Sequence, residues 1–348
     1  MKRLTLILTI LVAAASCTQL AADAPKRQGC NSAADAPKRQ GWDDIERGPL
    51  YGNVESVTVT EYSLRDSFGV LSRSKIKEKF CYNFNEFGDV TEETRYDSDG
   101  TLYWREIYKY DTKGNKTEDA EYNSDGSLQE KLIYKYDTKG NMTEMAWYKS
   151  DGTIRNKYIY KHDTKGNMTE DAEYNSDGSL SRKYTNKYDT QGNMTEEALY
   201  DSDGSLSRKT IYKYDTKENK TEEAGYDSDG SLGYKRIYKY DTKGNKTEEA
   251  WYNSKGSLSR KTVYKYDTKG NETEATYYKS DGSLGAKFIY KYDTKGNKTE
   301  AAEYTPDGTI RNKYIYKYDA QGNVTEKTEY VGKMRPISQV VYTIIYRK

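Results

Sequence analysis

One histidine, three cysteines, five phenylalanines, four tryptophans and six methionines in 348 residues leave little of the chemistry that enzymes and ordinary cores use. Only 34% of the residues are hydrophobic, and 37 tyrosines dominate that set, so an aliphatic globular core is excluded. Disorder is excluded too, because disordered chains are poor in aromatic and β-branched residues. An excess of charge is also missing. Fifty-six basic and 55 acidic residues alternate along the body with a net charge of +1. Nucleic-acid binders carry a basic stripe or patch; none is visible here, and nucleic acid is not an expected partner. No phosphate-binding loop, metal-spaced cysteine pair or nucleophile elbow occurs. The sole histidine, His162, replaces a repeated tyrosine, whereas an active site needs one distinctive constellation. No catalytic residue, cofactor or metal is therefore expected.

What the chain does have is a period. A Tyr-Asp dipeptide or its variant recurs every 26 residues, at Phe84, Tyr110, Tyr136, His162, Tyr188, Tyr214, Tyr240, Tyr266, Tyr292 and Tyr318. Each copy holds two turns of one chemistry, Asp111-Thr-Lys-Gly114 and Asn123-Ser-Asp-Gly126 in the copy that begins at Tyr108. Asp or Asn at the first position and Gly at the fourth mark a type I turn continued by a left-handed glycine, the three-residue hairpin loop. Strands between loops this short pair antiparallel. Glu218 stands where the other nine copies have glycine, and the turn predicts a left-handed, strained glutamate there. Asp-Ser-Asp-Gly, as at 201–204, has close carboxylates, but a calcium loop needs a longer run and a distal glutamate; a turn explains it. The Asn-x-Thr triplets at Asn115 and Asn141 match a glycosylation sequon and equally a turn exit followed by a strand threonine.

The expected fold is all-β: an elongated antiparallel meander of tandem hairpins in a single sheet, twisted or curled. The pairing opposes Asp111 to Asn115 and Tyr110 to Lys116. Alternation then places Tyr108, Tyr110, Ala120, Tyr122 and Leu128 on one face. Lys109, Thr117, Asp119, Lys131, Ile133 and Lys135 fall on the other. Tyrosine fills the Tyr122 position in all ten copies: Tyr96, Tyr122, Tyr148, Tyr174, Tyr200, Tyr226, Tyr252, Tyr278, Tyr304 and Tyr330. This candidate ladder either packs ring on ring or presents flat rings with polar tips to sugars or peptides. Some 22 strands laid flat would extend roughly 100 Å, and one tyrosine-rich face gives such a sheet reason to curl. Residues 51–81 read as a degenerate N-terminal capping hairpin with a strand over Val54–Tyr62 and a longer loop near Phe68 and Gly69. Residues 82–335 are the repeats, and 336–348 a C-terminal capping strand built on Val340–Tyr346.

Residues 1–16 read as an export signal, with Lys2 and Arg3 before the apolar run Leu4–Val12. Ala14-Ala15-Ser16-Cys17 resembles the lipobox of bacterial lipoproteins, with Ala14 where Leu is usual. That resemblance implies cleavage before Cys17 and its lipidation; the alternative is an ordinary cleaved signal with an incidental cysteine. Residues 17–50 contain Ala-Ala-Asp-Ala-Pro-Lys-Arg-Gln-Gly twice and read as a flexible tether with a reach of roughly 30 Å. Cys81 occupies a position held elsewhere mainly by isoleucine and reads as an inert buried thiol. A Cys30–Cys81 disulfide is an alternative in an oxidising compartment.

Tyr108-Lys-Tyr-Asp-Thr-Lys-Gly-Asn-Lys-Thr117 resembles the core of the YD repeat of RHS-type bacterial proteins, over about 82–330. The second turn, Tyr122-Asn-Ser-Asp-Gly-Ser-Leu128, is more similar to the MORN-variant repeat. The resemblance implies long β-meanders that wrap into shells, on surface and toxin-delivery proteins. A rigid 26-residue period departs from that family, and a toxin role is not expected because no distinct domain follows Lys348. The expected protein is a non-catalytic lipoprotein of the bacterial cell envelope, at the outer membrane and displayed on the surface. It would bind glycan or an extracellular protein through a repeated tyrosine-rich face; the alternative is a structural spacer or shell without a ligand.

Overall fold

The computed structural model describes residues 50–67, 70–332 and 335–348. The signal, Cys17, Cys30, nearly all of the tether, and Phe68 and Gly69 lie outside the described residues.

Each turn forms as its residues dictate. Asp111 N donates to Asn115 O at 2.9 Å, Gly114 N donates to Asp111 O at 3.1 Å, and Gly114 has φ 84°. Asp111 Oδ1 accepts from the amides of Lys113 and Asn115 at 2.8 and 2.9 Å, while Asn115 Nδ2 donates to Asp111 Oδ2 at 2.9 Å. The second turn repeats the frame from Asn123 to Ser127, with Gly126 at φ 82°. Among the described residues Glu218 alone of the non-glycines has positive φ, at 65°.

Between turns the chain is extended. β1 (Val54–Ser67) and β2 (Val70–Phe84) form the first hairpin, followed by β3 (Val90–Tyr96), β4 (Leu102–Tyr110), β5 (Lys116–Asn123) and β6 (Leu128–Tyr136). The pattern continues through β20 (Ile310–Tyr318) and β21 (Val324–Val331) to β22 (Arg335–Tyr346), and every sequential pair is antiparallel.

The expected open, twisted or curled sheet is corrected: the sheet closes. β22 pairs with β1, from Val54 opposite Tyr346 to Ser63 opposite Ser338, so the 22 strands form a barrel. The two terminal elements expected as caps instead make its seam. An exposed edge rich in Val, Tyr and Thr leaves a row of unpaired backbone groups, and joining the two edges satisfies both. The seam holds the nearest thing to a conventional core: Leu50, Val54, Val57, Val59, Tyr82, Phe84, Val90, Tyr108 and Tyr342. Buried Asn323 locks it, taking Tyr51 N at 2.5 Å on Oδ1 and donating through Nδ2 to Tyr51 O at 3.0 Å and Tyr346 Oη at 2.6 Å. Arg347 donates to the carbonyls of Phe84 and Asn85.

The expected division of faces is also corrected. Tyr110 does oppose Lys116, but Lys109 opposes Glu118, so Thr117 is an extra residue in a β-bulge. One inserted residue reverses the alternation beyond it. Tyr108 therefore opposes Asp119, while Arg105 opposes Tyr122 and Ile107 opposes Ala120. Thr117 Oγ1 donates to Lys109 O at 3.3 Å, and Thr143, Thr169, Thr195, Thr221 and Thr273 repeat the bond. The repeated triplet thus combines a turn-closing asparagine with a bulge threonine. A second bulge at Gln129 opposes Tyr122 to Leu128, then Glu121 to Glu130.

Tyr108 and Tyr110 accordingly share a face with Lys116, Asp119 and Glu130. Tyr122, Ala120 and Leu128 share the other with Lys109, Glu118, Lys131 and Ile133. The core at the seam packs on the Tyr108 side, which is therefore the concave, inner wall. Lys109, Lys135, Lys161 and Lys187, with side chains 62–70% exposed, mark the outer one.

Candidate functional site

Two walls with different rules are available for function. The outer wall is a lattice. Glu144 bridges Lys135 and Lys157 at 2.9 Å each, Glu222 bridges Lys213 and Lys235 at 2.9 and 2.7 Å, and Glu274 and Glu300 do the same. Flanked in this way by Lys287 and Lys265, the Glu274 carboxyl is held down at about 2 against its own partial desolvation. Every one of the ten copies has glutamate at the Glu118 position and tyrosine at the Tyr122 position.

All ten ladder tyrosines, Tyr96 through Tyr330, therefore line one surface, but it is the outer one, beside the lysines. Lys79, Lys131, Lys183 and Lys261 sit 5.3–5.9 Å from the ring centres of Tyr96, Tyr148, Tyr200 and Tyr278. A barrel that spans a bilayer presents an apolar band about 25 Å tall, and a lysine at its middle costs about 2–4 kcal/mol. An outer wall with a charged lattice along its strands is not such a band.

The inner wall varies. At the Asp119 position the copies read Glu93, Asp119, Met145, Asp171, Glu197, Glu223, Glu249, Ala275, Ala301 and Lys327. At the Lys116 position lysine, methionine, valine and one glutamate, Glu272, alternate. Its most regular element is a latch, made by the tyrosines of eight copies and missing where Phe84 and His162 stand: Tyr110 Oη donates to Val90 O at 2.6 Å, Tyr136 Oη to Lys116 O at 2.8 Å, and so on to Tyr318 Oη and Lys298 O at 2.7 Å. Each latch ties one repeat to the bulge of the one before.

Where β3, β4 and β5 meet, the inner wall concentrates charge. Tyr82 Oη donates to Glu93 Oε1 at 2.6 Å, Tyr108 Oη to Glu106 Oε2 at 2.8 Å, and Lys116 Nζ to Asp119 Oδ2 at 3.0 Å. Lys116 Nζ lies 5.2 and 5.1 Å from the ring centres of Tyr108 and Tyr134. Burial, reinforced by Asp119 and Glu93, holds the Glu106 carboxyl well above the ordinary range. Burial opposes the charge on Lys116, but Asp119 and Glu106 outweigh it and its ammonium is held on more firmly than usual. Burial alone lowers His162, against Asp137 and Asp163. This is a set of hydrogen-bonded ion pairs, and among the described residues no group of three His, Cys, Asp or Glu could hold a metal ion.

Cys81 is half-buried on the outer wall and has no disulfide partner among the described residues, Cys30 lying outside them; its Sγ accepts from Thr58 Oγ1 at 3.7 Å. At 201–204 the carboxylate of Asp203 accepts from Ser205 N at 2.8 Å and closes a turn. The inner charges of β3–β5 and Glu272 were not legible as a site. Their one signal is departure from the repeat at positions that the bulge carries inward.

No family model matches the chain, and no curated protein does. Among solved structures it is similar to the Photorhabdus luminescens Tc holotoxin pore, at 13% identity and TM-score 0.38, covering 78% of this chain and 15% of that one. A TcdB2–TccC3 structure follows at 14% identity and TM-score 0.32, covering 75% and 15%. A porin-like protein from Bacteroides uniformis gives 12% identity and TM-score 0.30, covering 84% of this chain and 98% of that one. The chain thus spans under a fifth of the toxin chains it matches.

Proposed function

We propose that this is a non-catalytic recognition module of the bacterial cell envelope, held at the outer membrane by lipid on Cys17 and displayed on the surface. Its barrel engages glycan or an extracellular protein through tyrosine-rich β surface. What supports the reading above all is the contrast between the walls. The outer wall repeats its glutamate and tyrosine in every copy and flanks them with lysine in most, as packing requires. The inner wall keeps its latch tyrosine in eight of ten copies and changes its charged and aromatic residues from strand to strand, as a surface suited to a particular ligand does. In this reading the ladder Tyr96–Tyr330 packs the outer wall and the tyrosines that meet ligand lie inside.

Glycan and matrix-protein arrays probed with the purified protein test it. Saturable binding on either supports recognition, and its absence on both refutes it. A second reading, an envelope spacer or shell without a ligand, is favoured by the uniform lattice. It requires that the inner substitutions be interchangeable between repeats.

A further inference from the structure

We propose that the inner wall across β16 (Leu258–Tyr266), β17 (Glu272–Lys279) and β18 (Leu284–Tyr292) is a binding site for a saccharide, an inference that rests on the recognition reading. A shallow, mostly open recess of about 500 Å³ lies there. It exists because side chains have shrunk. Ala275 stands where the two preceding repeats carry Glu223 and Glu249, and Ala286 where they carry Tyr234 and Arg260. The half-buried aromatic side chains of Tyr264, Tyr277, Phe288 and Tyr290 line it together with these alanines. Tyr277 is fixed by a further deletion: a Cβ on Gly285 would lie 2.3 Å from its ring carbons, so the ring rests on bare backbone.

The polar groups are as particular to this place. Glu272 lines the recess and is the one acidic residue at a position that holds Lys, Met or Val in the other nine copies. Among the described residues no hydrogen bond acts on its carboxylate. Burial raises its pKa, opposed by Lys298 and Lys246. Lys298, on the next strand, lies 4.6 Å from the ring centre of Tyr290. Arg311, paired with Glu303, lines another side.

A saccharide ring matches this set. Its C–H face covers a tyrosine or phenylalanine ring, and its hydroxyl edge donates to Glu272 and accepts from Arg311. A purely apolar ligand would bury Glu272 without a partner, which is costly. The barrel perimeter, roughly 100 Å for 22 strands, is more than twice that of the eight-stranded barrels that side chains just fill, so the inner wall has space before it.

The test uses the full chain and three variants. One combines Ala275→Glu with Ala286→Arg, residues that sister repeats already accommodate; another is Glu272→Gln, nearly isosteric; the third, Tyr278→Phe, alters the outer ladder on the same strand. The probes are glucose, galactose, mannose, N-acetylglucosamine and their disaccharides, followed by saturation-transfer NMR and tyrosine fluorescence, with protein arrays in parallel. The expected result is one or more saturable sugars whose affinity falls about tenfold or more in the filled variant and in Glu272→Gln, and is unchanged in Tyr278→Phe. Circular dichroism verifies that each variant folds, and Glu272→Gln decides alone if the filled variant does not. A sugar bound equally by wild type and variants overturns this site and leaves the recognition reading standing. Binding confined to protein probes overturns the saccharide. Binding to nothing overturns both.

Discussion

Replacing Glu218 by glycine should stabilise the protein, an unusual direction for a change to glycine within ordered structure. Glu218 sits at φ 65° in a turn whose nine sister copies place glycine, such as Gly192 at φ 95° and Gly244 at φ 86°. A side chain in that region costs about 1–2 kcal/mol through its Cβ. Glycine returns about 0.5–1 kcal/mol of this as unfolded-state entropy. Glu218 is exposed, so the electrostatic interactions of its carboxylate are worth only a few tenths of a kcal/mol. The net gain is about 0.5–1 kcal/mol. For roughly 300 ordered residues the unfolding entropy is about 0.6 kcal/mol per degree, so the midpoint rises by only about 1–2 °C. Hydrogen exchange is the sharper assay. The amides that close this turn, Glu218 or its replacement onto Asp215 O and Asp215 onto Asn219 O, should gain about two- to fivefold protection. The reciprocal Gly192→Glu should lose as much, since a Cβ there meets only Asn167 Oδ1 at 3.8 Å and backbone strain is all it tests. A lower midpoint for Glu218→Gly, or a Gly192→Glu variant as stable as the parent, would refute the reasoning.

Asp171, on the inner wall, has its carboxyl pushed up to about 6 from 3.8 by burial, against the pull of Arg182. A raised folded-state pKa favours the fold fully below about pH 3.8 and withdraws that support as pH rises through 6. Asp171→Asn should therefore flatten the urea-midpoint profile over that window and be about 3 kcal/mol more stable at pH 8. Tyr136→Phe removes one latch and should cost about 1 kcal/mol, seen as faster exchange in the hairpin of β5 and β6; unchanged exchange would deny the latch a role. Asn323→Ala strips buried bonds at the seam and should cost about 2–4 kcal/mol, with β1 and β22 exchanging first. Palmitate labelling should be lost in Cys17→Ala, and that variant should stay soluble without detergent, as the charged outer wall requires; a detergent-dependent barrel would contradict that wall.

The local chemistry was legible before any coordinates. Asp111 and Gly114 specify a turn by themselves, the 26-residue spacing repeats it, and the tyrosines and threonines between turns choose strand, so antiparallel hairpins and a strained Glu218 follow from short-range terms alone. Which wall each tyrosine joins was not legible, because it depends on a parity. Thr117, one unpaired residue, reverses the alternation and separates Tyr108 from Tyr122, and the identity of that residue becomes informative only once the pairing is known. Closure lay further out of reach. Whether Val54–Ser63 meets Ser338–Tyr346 is the sum of small rotations over 22 strands, averaging about 16° each, and no residue encodes such a sum. The chain by itself determined the unit and its repetition; the tertiary structure decided inside from outside, because curvature and pairing register accumulate over distances that sequence-local forces do not span.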